Sequence, residues 1–179
     1  MTVFSGLKIG LITAVGFVGV ASADPVRIVT DLPALASLAT QIVGPENGEV
    51  SSLLSRGDDV HYFAMRPSQA HDMSQADIVV WIGPALTPWL SKAADALNET
   101  GLVTPLETDE AAHDHGHGDE DEEGDPHLWL DPQEMQHWAE IIASQLDQIR
   151  PEWAAQTAQR LDATLAEMES IEQDVAAIL

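Results

Sequence analysis

The sequence predicts an α/β fold: a parallel four-stranded sheet flanked by helices, followed by a long C-terminal backbone helix. Three observations support this prediction. Short β-branched runs alternate with helical stretches over short loops, which is typical of a parallel sheet. The run Ile78-Val79-Val80-Trp81-Ile82 is apolar on both faces, as a central parallel strand should be. After residue 131 the apolar side chains recur at helical spacing to the end of the chain.

Turn residues and apolar periodicity place the individual elements. The predicted strands are residues 26–30, 50–54, 78–82 and 102–106. The predicted helices follow Asp31-Leu32-Pro33 and then cover residues 67–76, about 88–97, a segment from 132 and a segment from 151 to the end. Asp131, before Pro132, is the expected N-cap of the fourth helix.

Composition and charge exclude several function classes. The 179 residues include 30 Asp plus Glu against 7 Lys plus Arg, and the formal net charge is −23. An acidic excess of this size repels phosphates, so neither a nucleic-acid partner nor docking on anionic lipid is expected. The chain has no Cys. Disulfides and thiolate metal sites are therefore excluded, and any transition metal must be bound by His and carboxylates.

Residues 1–23 have the organisation of a cleavable signal peptide. Lys8 precedes an almost unbroken apolar and Gly run over residues 9–20, and Ala21-Ser22-Ala23 has the small-x-small form of a cleavage site. The run is shorter than the roughly 20 residues that a membrane-spanning helix needs. We predict export with cleavage after Ala23 and no membrane insertion afterwards; the alternatives are an uncleaved anchor or a buried helix.

Residues 107–125 differ from the rest of the chain. They contain 10 acidic residues and no large apolar side chain, so the sequence predicts a mobile loop. His113, His115 and His117 alternate with Asp and Gly inside it. Such a tract suits auxiliary capture of a divalent metal by imidazole and carboxylate, whereas the simpler alternative is a solvated linker.

Two other histidines are candidate metal ligands. His61 follows the second predicted strand, near a carboxyl end of the sheet, where ligands collect in open α/β folds. His127 lies between Pro126 and the start of a capped helix, with Trp129 and Leu130 as expected core anchors. Position alone favours a surface loop residue for His61, whereas His127 could equally be a half-buried residue bonded to the backbone.

No catalytic constellation accompanies these histidines. The sequence contains no Gly-x-Ser-x-Gly, no phosphate-binding loop and no His-Glu-x-x-His. His71 and His137 are predicted on exposed helix faces and have no assigned role.

The order of the motifs resembles a known family. His61-Tyr62 is followed by Arg66-Pro67-Ser68, by Ala76-Asp77 before the central strand, by the acidic His loop and then by Asp125-Pro126-His127-Leu128-Trp129-Leu130-Asp131-Pro132. This order is similar to that in the zinc-uptake solute-binding proteins of bacterial ABC transporters, over essentially the whole chain. The resemblance implies a periplasmic protein that captures Zn²⁺ and delivers it to an inner-membrane ABC permease. It therefore implies a binding protein rather than an enzyme, and no reaction is expected.

The resemblance also implies an architecture of two α/β lobes joined by one backbone helix, with the metal between the lobes. On this basis His61 and His127 are metal ligands from the first lobe. The implied division is a signal peptide at 1–23, a metal-binding lobe at 24–131 and a helical segment at 132–179, with the second lobe absent. Such a chain is expected to bind zinc weakly. Zinc is preferred to manganese because imidazole suits zinc.

Two other functions stay open from the sequence. One is a stand-alone periplasmic zinc buffer or chaperone that uses mainly the acidic loop. The other is a zinc hydrolase in which His61, His127 and a carboxylate activate water.

The last helix has an apolar stripe. Its residues recur at spacings of three and four: Leu161, Leu165, Met168, Ile171, Val175 and Ile178. A continuous helix from Pro151 is about 43 Å long. We expect this stripe to be largely uncovered and to favour self-association.

Overall fold

The computed structural model describes residues 24–98, 103–106 and 126–178. The predicted signal peptide, the acidic loop and its three histidines lie outside these residues. Short 3-10 helices at Pro88–Leu90, Leu128–Leu130 and Pro151–Trp153 accompany the main elements. The main elements, in chain order, are β1 (Val26–Thr30), α1 (Pro33–Val43), β2 (Gly48–Ser52), α2 (Pro67–Ser74), β3 (Ile78–Trp81), α3 (Ser91–Asn98), β4 (Val103–Pro105), α4 (Pro132–Ile149) and α5 (Ala154–Ile178).

The strands form one sheet in the order β2-β1-β3-β4, and every neighbouring pair is parallel. Ile28 on β1 lies opposite Val50 on β2 and Ile78 on β3. Four residues of β1 and all of β3 are buried, as expected for strands covered on both faces. β4 is an edge strand of three residues. The α/β fold with a parallel sheet and a long C-terminal helix is therefore confirmed.

Helices cover both faces of the sheet. Along β1, Ile28 packs into a cluster with residues of α1 and α4, whereas Val29 packs into a second cluster with residues of α2 and α3. This division follows from the alternation of side chains along a strand. Trp138 of α4 is fully buried in the first cluster, so α4 packs on the same core as α1. The predicted boundary between a lobe and a helical segment at residue 131 stays a prediction.

The predicted bounds of β2 were wrong by two residues at each end. The strand begins at Gly48, which pairs with Val26, and it ends at Ser52. Leu53 and Leu54, predicted as strand, are buried beyond its end. β2 is an edge strand whose backbone makes the pairing, so its first residues need no apolar side chains. The predicted ends of α2 and β3 were also slightly too late.

α5 is only partly uncovered, which corrects the expectation for its apolar stripe. Leu161, Leu165 and Met168 pack against the main core. Beyond them the stripe is exposed: Ile171 by 56%, Val175 by 50% and Ile178 by 84%. The 25 residues of α5 span about 37 Å. α5 lies along α1 and α4, and the hydrogen bond of 2.8 Å from the Gln136 amide to Glu172 shows that it stays beside α4 as far as Glu172.

Among the described residues, no helix combines the length and the hydropathy that a bilayer-spanning segment requires.

Candidate metal centre

The loop after β2 places His61 by means of a local turn. The Oδ1 atom of Asp59 accepts hydrogen bonds from the backbone N–H groups of His61, at 2.9 Å, and Tyr62, at 3.2 Å. Asp side chains commonly form such turns by accepting hydrogen bonds from backbone N–H groups two or three residues further along the chain. The His61 side chain is half-buried, and Tyr62 is 85% exposed. The backbone at His61 is therefore ordered while its imidazole keeps access to solvent.

The start of α4 places His127. The carbonyl of His127 accepts a hydrogen bond of 2.9 Å from Leu130 N–H, which closes a 3-10 turn. Asp131 then caps α4, as predicted, by accepting a hydrogen bond of 2.8 Å from Gln133 N–H. Trp129 packs partly against the core, but Leu130 is 65% exposed and is not the predicted core anchor. A 3-10 helix has three residues per turn, so its successive side chains point in different directions.

The two histidines meet, as the motif order predicted. Their ring centroids lie 5.7 Å apart, and the ring planes are nearly perpendicular at 87°. Two imidazoles that bind one tetrahedral zinc, each with a nitrogen about 2.0–2.1 Å from the metal, have centroids roughly 5 Å apart. The observed separation fits a shared metal after a small rotation of either side chain. The approach of the two rings is therefore confirmed, whereas their role as ligands stays a prediction.

Other side chains contribute little to this pair. Within residues 24–98, 103–106 and 126–178, no group of three or more His, Cys, Asp or Glu is arranged to hold a metal ion. His71 is exposed on α2, and His137 is exposed on α4 beside Glu140, at 3.8 Å. Both positions agree with the prediction. The described part of the chain thus offers two imidazole nitrogens to a divalent cation, and further ligands must come from elsewhere.

One charged residue near the carboxyl ends of the strands was missed by the sequence argument. Asp31 follows β1 directly and is fully buried. Its carboxylate accepts hydrogen bonds from Leu32 N–H at 2.9 Å, Ile82 N–H at 3.2 Å and the Thr87 hydroxyl at 3.2 Å. Burial raises the pKa of Asp31 to about 6, although these hydrogen bonds act in the opposite direction. The carboxyl group links the ends of β1 and β3, and it supports the loops at that edge of the sheet.

The position of Asp31 after a buried strand could have signalled this role. A carboxylate between a β-branched run and Leu-Pro has little access to water, so it must find donors in the neighbouring backbone.

Comparison with known proteins shows the family of the chain. The family model of the zinc-uptake complex component A, periplasmic (ZnuA), matches residues 28–179. The chain belongs to the ZnuA family. A high-affinity zinc uptake system protein ZnuA from Paracoccus denitrificans is 31% identical over an alignment that covers 79% of this chain and 55% of the relative. The chain thus spans about half the length of the curated ZnuA relatives that it matches.

The chain is also similar to a solved structure of ZnuA and to a manganese-binding lipoprotein. A crystal structure of ZnuA superposes with a TM-score of 0.70 at 27% identity, covering 87% of this chain and 59% of that protein. A manganese-binding lipoprotein MntA from Halalkalibacterium halodurans is 25% identical, over 84% of this chain and 48% of its own length. The relatives of this chain are therefore named for either zinc or manganese.

Proposed function

We propose that this chain is a zinc-binding component of a periplasmic ABC uptake system, which captures Zn²⁺ and delivers it to an inner-membrane permease. The approach of His61 and His127 is the observation that carries the proposal, because it joins two imidazoles from distant parts of the chain. The ion is cargo, so no chemical reaction is expected. The ZnuA family match supports the same function.

The two-imidazole pair favours zinc over manganese. Imidazole nitrogen is a good ligand for zinc, whereas manganese is bound mainly by carboxylate, carbonyl and water oxygens. The side-chain ligands that the described residues bring together are both nitrogens. A similar manganese-binding lipoprotein makes this choice worth testing, so both metals belong in the binding experiment.

Export to the periplasm rests on the sequence of residues 1–23. We propose cleavage after Ala23, which leaves a chain that begins at Asp24. Mass spectrometry of the exported protein checks the site directly.

The test of the function is calorimetric titration of the chain from Asp24 with zinc and with manganese. His61→Ala and His127→Ala should each weaken zinc binding at this site by tenfold or more, because each removes one of two fixed ligands. The double variant should lose zinc binding at this site altogether, because neither imidazole of the pair remains. His137→Ala is the matched control, because His137 is exposed on α4 and lies outside the pair.

Two results would contradict the proposal. One is an equal loss of zinc affinity in the His137→Ala control. The other is unchanged zinc affinity in both single variants, which would move zinc binding away from this pair. Tighter binding of manganese than of zinc would overturn the choice of metal while leaving the site in place.

A further inference from the structure

We infer that Trp89 is a positioning residue for His61, which deepens and rests on the proposed zinc site. The indole Nε1–H of Trp89 donates a hydrogen bond of 2.8 Å to the backbone carbonyl of Val60. Val60 directly precedes His61, and the carbonyl of Val60 belongs to the same peptide unit as the His61 N–H. Trp89 therefore holds one side of the peptide plane whose other side is held by Asp59.

The ring of Trp89 also contacts the chain on the other side of His61. The rings of Phe63 and Trp89 lie 5.0 Å apart at an angle of 57°, within the range of favourable aromatic pairs. Val60 and Phe63 both pack against the main core, and Trp89 contacts both core clusters. The indole thus fixes the residues immediately before and shortly after His61.

Trp89 is itself attached to the sheet through Thr87. Thr87 is fully buried, and its hydroxyl lies 2.6 Å from Trp81 Nε1 and 3.2 Å from the carboxylate of Asp31. The carbonyl of Thr87 accepts a hydrogen bond of 3.0 Å from Leu90 N–H, which closes the turn that carries Trp89. A continuous set of contacts therefore runs from the ends of β1 and β3 to the His61 backbone.

The local turns of the loop cannot supply this attachment. Asp58 accepts from Ser55 N–H at 2.8 Å, and Asp59 accepts from His61 N–H at 2.9 Å, so each bond spans three residues or fewer. Such bonds shape the loop without fixing it relative to the sheet. The hydrogen bond from Trp89 to Val60 spans 29 residues in sequence, so it can fix the position of His61 relative to the sheet, where His61 meets His127.

The experiment compares Trp89→Phe with the matched control Trp153→Phe. Phe at position 89 keeps an aromatic ring against Phe63 and loses the donor to Val60. Trp153 is also partly buried against the main core, but it lies at the junction of α4 and α5. The readouts are zinc affinity, hydrogen exchange of the amides of residues 59–63 in the metal-free protein, and thermal unfolding.

We expect Trp89→Phe to weaken zinc binding by about two- to tenfold, which is the range for loss of one hydrogen bond. It should also accelerate amide exchange at residues 59–63. Trp153→Phe should change neither readout, even if it lowers the unfolding temperature as much. A second variant, Phe63→Leu, keeps the indole donor and should give a smaller effect of the same sign on both readouts.

The outcomes separate this inference from the proposed function. If Trp89→Phe leaves both zinc affinity and loop exchange at the wild-type level, the positioning role is overturned, whatever His61→Ala does. If exchange accelerates but His61→Ala does not alter zinc binding, the proposed metal site fails while the attachment of the loop by Trp89 is supported. An equal effect of Trp153→Phe on loop exchange would show a general loss of packing and would also overturn the inference.

Discussion

The carboxylate of Asp31 accepts a hydrogen bond of 3.2 Å from the hydroxyl of Thr87 inside the protein, next to the ends of β1 and β3. Two backbone N–H groups, of Leu32 and Ile82, donate to the same carboxylate. These three donors favour the charged form, but burial opposes it more strongly and raises the pKa of Asp31 to about 6. Asp31 is thus a buried acid whose charge is costly near neutral pH.

The first prediction is that Asp31 makes folding stability fall as pH rises from about 4 to above 6. In this range the folded protein retains a proton that the unfolded chain releases near 3.8, so the contribution of Asp31 is present at low pH and lost through about pH 6. The full difference corresponds to about 3 kcal/mol. Asp31→Asn should flatten this part of the curve, as measured by urea unfolding at several pH values.

Other acids titrate in the same range, so the comparison of the two proteins isolates Asp31. Asp77→Asn is a suitable control, because Asp77 accepts a hydrogen bond from Arg27 N–H at an exposed position. If wild type and Asp31→Asn show the same pH dependence, Asp31 does not have the raised pKa.

Most of the fold could be predicted from the sequence, because the patterns that indicate each helix and strand are local. The apolar run that forms β3 and the Asp131-Pro132 start of α4 needed no information from distant residues. The start of β2 at Gly48 could not be predicted, because it depends on the pairing of Gly48 with Val26. Part of the apolar stripe of α5 is covered and part is exposed. This division depends on how far α1 and α4 extend along α5, which the spacing of apolar residues does not reveal.

The second prediction concerns the attachment of α5 to the rest of the structure. Gly44 ends α1 with a φ of 79°, and a Cβ atom placed there would overlap the guanidinium group of Arg160. Arg160 pairs with Glu46, and Gln156 donates a hydrogen bond of 3.0 Å to the same carboxylate. Gly44→Ala should therefore destabilise the protein by about 2 kcal/mol, mainly because an L side chain strains this backbone. The guanidinium of Arg160 is the end of a flexible side chain, so moving it away from the half-exposed Glu46 should add only a small cost.

Gly57→Ala is the matched control for Gly44→Ala in chemical denaturation. Gly57 also has a positive φ, of 95°, but a Cβ atom there meets nothing within 4 Å. Its cost should be about 1 kcal/mol from backbone strain alone. Equal losses in the two variants would show that contact with Arg160 contributes nothing.

The third prediction is that the exposed half of the α5 stripe promotes self-association of the chain from Asp24. Ile171, Val175 and Ile178 follow one another at helical spacing, and each is at least half exposed. Replacing Ile171 and Val175 with Gln should shift the protein towards monomer in sedimentation velocity, since it removes apolar surface from the contact. Ala163→Gln, at an exposed position of α5, should not. A wild-type protein that stays monomeric at high concentration would contradict the prediction.

Part of the candidate metal site could be predicted from local sequence, and part depends on residues that are distant in sequence. The sequence around His61 and His127 indicated that these two residues are metal ligands. The motif order predicted that their side chains meet, and the separation of 5.7 Å between the ring centroids confirms this approach. The attachment of His61 through Trp89 could not be foreseen. A Trp on a short helix is usually a core residue, and its hydrogen bond to Val60 depends on how two loops pack.

The last prediction separates the His61–His127 pair from the acidic loop. The described residues bring together two candidate ligands, His61 and His127, whereas a closed zinc site has four, so zinc should bind the chain from Asp24 more weakly than nanomolar. The sequence predicts a mobile loop at residues 107–125, so a ligand recruited from it carries an expected ordering cost of roughly 1 kcal/mol or more for each residue fixed. Replacing His113, His115 and His117 together with Ala should therefore lower the number of zinc ions bound in calorimetry. The affinity of the His61–His127 site should change little, because its two ligands lie outside the loop.

The control replaces Glu120, Asp121 and Glu122 with Gln, Asn and Gln, which removes three charges and keeps every imidazole. An equal fall in stoichiometry in that control would mean that the loop attracts zinc by charge rather than by imidazole coordination. Nanomolar binding that survives the triple His replacement would instead show that the His61–His127 pair finds its remaining ligands without the loop histidines.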